Sequence, residues 1–128
     1  MILLLDTSTG LCKVTLVDGD HTYQHEWQAD RQLAKGLLGF LRDSLSQHQE
    51  EWSSLTGLGV FKGPGSFTGL RIGITVLNTI ATDRHIPIVG CTELSWQKNA
   101  IGRLEAGEND QIVLPFYGRE ANITTPKK

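Results

Sequence analysis

The sequence KGPGSFTGLRIG, residues 62–73, places four glycines, a proline, a serine and a threonine directly before a helix-like apolar run. Phosphate-binding loops often have this composition at the start of a helix. The stretch is not a Walker A loop, because its lysine precedes the glycines, and its glycines do not follow the GxGxxG spacing. Ser66 or Thr68 can cap the helix, whose N-terminus could still attract an anion. Gly69 and Gly73 share one helix face, which predicts close packing of another backbone there.

The helix that this stretch opens is predicted at about residues 69–83 and is apolar around most of its surface. One face combines Leu70, Gly73, Ile74, Leu77, Ile80 and Ala81. Ile72 and Val76 form a second apolar face. The remaining polar stripe consists of Arg71, Thr75, Asn78 and Thr82. A helix with two apolar faces is buried on more than one side. The sheet can cover one side; we infer a partner protein for the other, with the first helix of the same chain as the alternative.

The remaining pattern predicts three strands followed by alternating helices and strands. The predicted strands cover about residues 2–5, 13–17, 22–28, 57–61, 86–91 and 111–117. Two other helices are predicted. One covers about residues 32–47, with Asp30 as its cap, and a shorter one is capped by Thr92 and ends near residue 102. Asp18 and Gly19 indicate a hairpin between the second and third strands. The order βββαβαβαβ predicts an α/β fold with a mixed sheet, the ribonuclease-H-like half-domain that actin-like ATPases use in pairs.

Length, charge and cysteine content exclude several classes of protein. A chain of 128 residues predicts a single domain over residues 1–128, with a polar tail at residues 118–128. The net charge of -2 argues against a free-standing nucleic-acid binder, which usually has a basic excess. Cys12 and Cys91 lie in apolar, strand-like runs and are expected to be buried reduced thiols. The opening MILLL is too short for a signal peptide or a membrane span, so we expect a cytoplasmic protein without membrane contact.

The segment DTSTG, residues 6–10, follows the first buried strand and is the second candidate for phosphate chemistry. In a phosphotransfer fold, Asp6 could orient a metal-bound water. Thr7, Ser8 and Thr9 could offer N–H and hydroxyl groups to a phosphate. The alternative is an Asx-type turn in which Asp6 accepts local backbone hydrogen bonds, and the five residues alone favour that alternative.

The histidines do not predict a metal site. His21 and His25 have the HxxxH spacing of a helical metal site, but on a strand their side chains lie about 13 Å apart along one face. His48 and His85 have no evident partner in the sequence. No pairing of a nucleophile with a base rises above chance, so the sequence predicts neither catalytic residues nor a metal or other cofactor.

Three motifs together resemble the bacterial TsaB (YeaZ) family. They are DTST after an apolar first strand, GPGSFTGLRIG at the start of a helix, and IPIVGCTEL further along the chain. The resemblance covers about residues 1–96, and LPFYGRE, residues 114–120, is similar to the PxYxRe segment near the family's C-terminus. It implies an actin-like fold and a non-catalytic subunit that dimerises with TsaD, the paralogue that transfers threonylcarbamoyl to adenosine 37 of tRNA. The ATPase TsaE joins the family's bacterial complex, and helices of the N-terminal domain form its TsaB–TsaD interface.

Two departures from the family pattern bear on nucleotide binding. Family members usually carry a second domain between the positions of Trp96 and Pro115, where this chain has only about twenty residues. They also often have a histidine near the position of Leu33. Because actin-like ATPases clamp their nucleotide between two domains, one domain alone offers no adenine pocket. We therefore expect a structural or vestigial phosphate loop, the motif loop, formed by Asp6, Thr7, Ser8, Thr9, Lys62, Gly63, Pro64, Gly65, Ser66, Phe67, Thr68 and Gly69.

The resemblance implies an adaptor that binds and activates TsaD, with tRNA reached only through the complex. The residues expected to face the partner are Leu37, Phe40, Leu41, Leu70, Arg71, Ile74, Leu77 and Asn78. A self-sufficient homodimer is a second hypothesis, because apolar helix faces can also pair across a two-fold axis. A degenerate ATPase or glycoprotease-like enzyme is a third hypothesis, and the missing metal ligands and second domain argue against it.

Overall fold

The computed structural model describes residues 1–117, in which one mixed sheet carries helices on both faces. Its strands are β1 (Ile2–Asp6), β2 (Leu11–Asp18), β3 (His21–Gln28), β4 (Gly57–Phe61) and β5 (Ile88–Cys91). Its helices are α1 (Leu33–Ser46), α2 (Phe67–Arg84) and α3 (Trp96–Glu105), with 3-10 turns at Asp30–Gln32 and Trp52–Ser54. The predicted polar tail and the end of LPFYGRE lie outside the described residues.

The strands are ordered β3-β2-β1-β4-β5 across the sheet. The first three strands pair antiparallel, whereas β4 runs parallel to both β1 and β5. Gly19, with a φ of 60°, closes the hairpin between β2 and β3 in a left-handed conformation that glycine adopts without strain. Parallel strands need long crossover connections, and α2 supplies the one between β4 and β5. The predicted α/β fold with a mixed sheet is confirmed.

The main core lies between the sheet and the helices α1 and α2. Because side chains alternate along a strand, β1 directs Leu3 and Leu5 towards these helices and Leu4 towards the opposite face. The helices contribute Leu37, Leu41, Leu45, Leu70, Ile74 and Leu77, each no more than 2% exposed. On the opposite face, α3 packs Trp96 and Ala100 against the sheet. The first apolar face of α2, from Leu70 to Ala81, therefore packs into this core.

Two of the three predicted helix caps are wrong. Ser66 caps α2 as predicted, since its Oγ accepts a hydrogen bond from the Gly69 N–H at 3.3 Å. Asp30 instead lies in a 3-10 turn with a φ of 46°, and its carboxylate accepts a hydrogen bond from the Gln28 side chain. Thr92 lies too early, because α3 begins at Trp96.

The predicted last strand, residues 111–117, is not part of the sheet, and this prediction was wrong. Asn109 and Asp110, just before it, take hydrogen-bonding positions that a sixth strand would use at the edge of β5. The Asp110 N–H donates to the Ile88 C=O at 2.8 Å, and the other two bonds go to side chains. The Ile88 N–H donates to Asn109 Oδ1 at 3.1 Å, and the Gly90 N–H donates to Asp110 Oδ2 at 2.9 Å. We call residues 108–117 the strap. It continues across α2, where the Asn78 side chain donates to the Val113 C=O and accepts from the Val113 N–H, both at 2.9 Å.

Both cysteines are buried free thiols, which confirms the prediction. Burial, together with the negative charge of Asp6, raises the pKa of Cys12 to about 12. Among residues 1–117, no helix combines the length and the apolar character needed to cross a membrane.

Candidate functional site

The two halves of the motif loop pack directly on each other. The Thr7 hydroxyl donates to the Gly69 C=O at 2.7 Å, and the Ser66 N–H donates to the Ser8 C=O at 2.8 Å. The Asp6 carboxylate accepts a hydrogen bond from the Ser8 N–H at 2.8 Å, which is the Asx-type turn favoured by the sequence. The Thr7 hydroxyl and one oxygen of the Asp6 carboxylate, two groups that could have served a phosphate or a metal-bound water, therefore bond to the chain itself.

The glycines of the motif loop make room for this internal packing. A Cβ atom at Gly69 or Gly73 would collide with Thr7, which is fully buried. A Cβ atom at Gly65 would lie 2.5 Å from the Cβ atom of Ser8. The close backbone approach predicted on the Gly69 face therefore occurs within this chain. It gives the glycine spacing a structural cause that needs no ligand.

A small cavity of about 300 Å³ lies beside the start of α2, between the motif loop and the first turn of α1. Its lining includes Thr68 at the helix N-terminus together with Asp30 and Arg31. A helix N-terminus favours anions, but the Asp30 carboxylate opposes them at the same place. The cavity therefore has no clear excess of positive charge that would select a phosphate.

The outward sides of α1 and α2 form a shallow surface of mixed apolar and polar side chains, which we call the helix-pair groove. It consists of two successive depressions of about 410 and 400 Å³. The groove is lined by Ala34, Leu38, Arg42, Trp52, Phe67, Thr68, Arg71, Ile72, Thr75, Val76, Thr79, Ile80, Asp83 and Arg84. Leu38 is 54% exposed and Phe67 is 55% exposed, although both are large apolar side chains. Such a patch on two adjacent helices is typical of a protein-binding surface.

Five of the eight residues expected to face a partner point into the main core instead. Leu37, Leu41, Leu70, Ile74 and Leu77 are at most 2% exposed, so their side chains cannot reach another protein while the chain stays folded. The physical reason is that the more continuous apolar face of each helix packs on the sheet. The second face of α2, with Ile72 and Val76, is only partly buried and borders the groove. Because α1 packs beside α2, the first helix covers part of this second face, as the alternative interpretation held.

The other three expected residues differ in their surroundings. Phe40 is half-buried and packs against Trp27 of β3, with the ring centroids 5.5 Å apart. Asn78 holds the strap through its two hydrogen bonds to Val113. Arg71 is exposed in the helix-pair groove, and its guanidinium carbon lies 5.1 Å from the centre of the Phe67 ring. Of the eight, Arg71 is therefore the side chain best placed to contact a partner.

Two histidines meet where the sequence indicated no partner. His25 Nε2 of β3 lies 2.9 Å from Nε2 of His48, in the turn that follows α1. Burial, together with the neighbouring charge of His48, lowers the pKa of His25. The sequence held only indirect signals of this contact. They are the alternation along β3, which sets the face on which His25 lies, and the predicted end of α1 near residue 47, next to His48. Within residues 1–117, no three histidine, cysteine or acidic side chains group so that they could hold a metal ion.

Comparisons with known proteins identify the family. The family model described as TsaD, tRNA N6-adenosine threonylcarbamoyltransferase, matches residues 27–127. The tRNA threonylcarbamoyladenosine biosynthesis protein TsaB of Escherichia coli (strain K12) is 31% identical over 130 residues, covering 94% of this chain and 56% of that protein. The chain belongs to the TsaB (YeaZ) family. The TsaB protein of Haemophilus influenzae is likewise 31% identical, over 84% of this chain and 46% of its own length.

The fold comparison agrees with the sequence comparison. The solved structure of YeaZ from Pseudomonas aeruginosa superposes with a TM-score of 0.69 at 31% identity, covering 83% of this chain and 49% of that one. The fold is thus the actin-like, ribonuclease-H-like half-domain that the sequence predicted. The chain spans about half the length of the TsaB and YeaZ proteins that it matches.

Proposed function

We propose that this chain is a non-catalytic adaptor in the biosynthesis of tRNA threonylcarbamoyladenosine, and that it binds and activates TsaD through the helix-pair groove. The observation that carries the proposal is the exposure of Leu38 and Phe67 between two helices that are rigidly held by the core beneath them. The names of the TsaB relatives support the pathway. The tRNA is reached only through the complex, and TsaE is a candidate third component.

The groove has the composition of a protein-binding hot spot. Phe67 is stacked on Tyr117, with the ring centroids 4.9 Å apart, and the guanidinium group of Arg71 lies over the Phe67 ring. Aromatic and arginine side chains dominate the binding energy of protein interfaces, because they combine apolar area with directed polar contacts. Since α1 and α2 are fixed on the sheet through Leu37 and Leu77, the surface is presented without a large ordering cost.

The motif loop supports a structural role over a catalytic one. Its hydroxyl and carboxylate groups at Thr7 and Asp6 are engaged in hydrogen bonds within the chain. These contacts fix the start of α2 against the end of β1 and thereby set the position of the groove. An ATPase remains the alternative. Titration calorimetry showing low-micromolar binding of ATP or ADP to this chain would contradict the structural role of the loop.

The experiment that tests the proposal is size-exclusion chromatography with light scattering, on the chain alone and mixed with TsaD from the same source. We expect a 1:1 complex with the wild-type chain. Leu38→Glu places a charge in the groove and should abolish the complex. Leu94→Glu is the matched control, because Leu94 is fully exposed before α3, on the other face of the sheet. A complex that survives Leu38→Glu, or is lost equally with both variants, would contradict the proposal.

A homodimer is the competing use of the same surface. Two copies could pair groove to groove across a two-fold axis, since such an interface needs only one self-complementary patch. A stable dimer that is broken by Leu38→Glu, and that does not give way to a complex when TsaD is added, would favour this second function.

A further inference from the structure

The two edges of the sheet differ in how they are protected. At the edge of β5, Asn109 and Asp110 of the strap bond to the outward backbone groups of Ile88 and Gly90. At the opposite edge, β3 pairs with β2 alone, and no other strand within residues 1–117 lies beside it. An unpaired strand edge can pair with another chain, so proteins usually shorten, charge, bend or cover such edges.

Strand β3 has few of these protective features. It is eight residues long, and its sequence HTYQHEWQ contains neither proline nor lysine. Its pairing with β2 continues over all eight residues without a bulge. Its one acidic residue, Glu26, lies opposite Lys13 of β2. The strand is therefore a regular edge to which another extended strand can be added.

The hairpin turn determines which backbone groups of β3 point outward. A two-residue turn joins Asp18 to His21, so this closing pair is hydrogen-bonded and every second pair after it is also hydrogen-bonded. The Ala29 N–H, which donates to the Gly10 C=O at 3.0 Å just beyond the strand, continues the same alternation. The residues between these pairs direct their N–H and C=O groups away from β2. They are Thr22, Gln24, Glu26 and Gln28.

We propose that β3 pairs antiparallel with β3 of a second copy of this chain, which joins the two sheets into one continuous sheet. The two-fold axis passes beside His25, and each outward-facing residue then meets one of the other copy. Thr22 lies opposite Gln28, and Gln24 lies opposite Glu26. No other antiparallel register engages all four of these residues in both copies.

The side chains favour a second copy in this register. Glu26 faces an uncharged glutamine, whereas a shift by two residues in one direction would place Glu26 opposite itself. On the side of the main core, Tyr23 of one copy lies opposite Trp27 of the other, and aromatic cross-strand pairs stabilise antiparallel sheets. None of the residues that line the helix-pair groove belongs to β3, so both surfaces can be occupied at once.

Sedimentation velocity over a range of chain concentrations tests the pairing. We expect a monomer–dimer equilibrium, in which the sedimentation coefficient rises with concentration. Gln24→Pro removes an outward N–H from each copy and should weaken the dimer at least about tenfold, because proline is tolerated at a sheet edge but cannot donate. Gln24→Thr is the matched control, since it keeps the N–H and favours strand structure, and should dimerise at least as strongly as wild type. Leu38→Glu, in the helix-pair groove, should have no effect.

A single introduced cysteine tests the register independently. In His25→Cys the two new thiols face each other beside the two-fold axis, within reach of a disulfide. In Thr22→Cys they lie about 20 Å apart along the paired strands, because six residues separate the two positions. Cys12 and Cys91 are buried and do not compete. Mild oxidation should therefore give a covalent dimer from position 25 and none from position 22, as read by non-reducing gel electrophoresis.

Circular dichroism checks that each variant is folded, and the cysteine variants decide the question even if Gln24→Pro does not fold. Four results would each overturn the proposal. The wild-type chain could stay monomeric at every concentration, or Gln24→Pro and Gln24→Thr could associate equally. A covalent dimer could form from position 22 and not from position 25. A dimer lost in Leu38→Glu would place the contact in the groove.

Discussion

The Thr7 side chain lies between the last residue of β1 and the first turn of α2, and its hydroxyl donates to the Gly69 C=O at 2.7 Å. Thr7 also fills the space left by the missing side chain of Gly73, one turn further along α2. Two motifs that look like a phosphate site in the sequence are thus complementary parts of one internal contact. The contact orients α2, and α2 supplies most of the helix-pair groove.

Adding a methyl group beside Thr7 tests this contact. We expect Gly73→Ala to lower the free energy of unfolding by about 1–3 kcal/mol, because the new Cβ atom would overlap Thr7 in a closely packed interior. Gly102→Ala is the control, since Gly102 lies in α3 with no atom near its added Cβ atom, and should stabilise by up to about 1 kcal/mol. Urea unfolding followed by circular dichroism measures both. Equal effects would show that Thr7 does not restrict this position.

The two apolar faces of the helices should differ in their contribution to stability. Leu77→Ala should cost about 2–5 kcal/mol of unfolding free energy, because Leu77 is fully buried in the main core. Leu38→Ala, in the groove, should change it by no more than about 0.5 kcal/mol in the isolated chain. Urea unfolding curves of the two variants give the comparison. A large loss with Leu38→Ala would mean that the groove is covered within the chain.

The sequence predicted the composition of each face of α2 but not the use of each face. The six residues of the first predicted face, from Leu70 to Ala81, are all buried in the structure. Periodicity shows that a second apolar face exists, formed by Ile72 and Val76, but it does not by itself say that the broader face packs on the sheet. Residues of the broader face, such as Leu77, were assigned to a partner for this reason.

The last strand and the histidine pair show two further limits. Residues 111–117 have a strand-like pattern, but Asn109 and Asp110 already bond to the edge of β5 through their side chains. Propensity does not detect such replacement of backbone groups by side chains. His25 and His48 meet only because the end of α1 packs beside β3, which is a tertiary contact without a local signature.

The strap should loosen in acid. Burial alone would raise the pKa of Asp110, but the hydrogen bond from the Gly90 N–H and the ion pair with Arg103 outweigh it and lower that pKa below its usual 3.8. Because the pKa is lower in the folded state, the stabilisation by Asp110 is present above pH 3.8 and is lost as the pH falls through the folded value.

We therefore expect Asp110→Asn to lower the unfolding temperature at pH 7, with a difference from wild type that shrinks towards pH 3. Differential scanning calorimetry across this range measures it. Glu105→Gln, an exposed carboxylate on α3, is the control and should show little change at either pH. A difference that is constant with pH would show that the Asp110 charge does not hold the strap.

The two thiols should be unreactive in the folded chain. Both side chains are buried, which shields them from a reagent in solution. The pKa of Cys12 is also raised to about 12, so little Cys12 thiolate is present at pH 8. A disulfide reagent such as DTNB should label neither cysteine in the native protein and both in guanidinium chloride. Rapid labelling of Cys12 in the native state would mean that β2 opens readily.

The central claim is that TsaD contacts the helix-pair groove, and site-specific photocrosslinking tests it most directly. A benzophenone amino acid replaces Leu38 in one variant and Leu94 in another, and each is irradiated with TsaD from the same source. We predict a crosslinked heterodimer from position 38, with the TsaD peptide identified by mass spectrometry, and none from position 94. Crosslinking from position 94 alone would place the interface on the opposite face of the sheet and contradict the account.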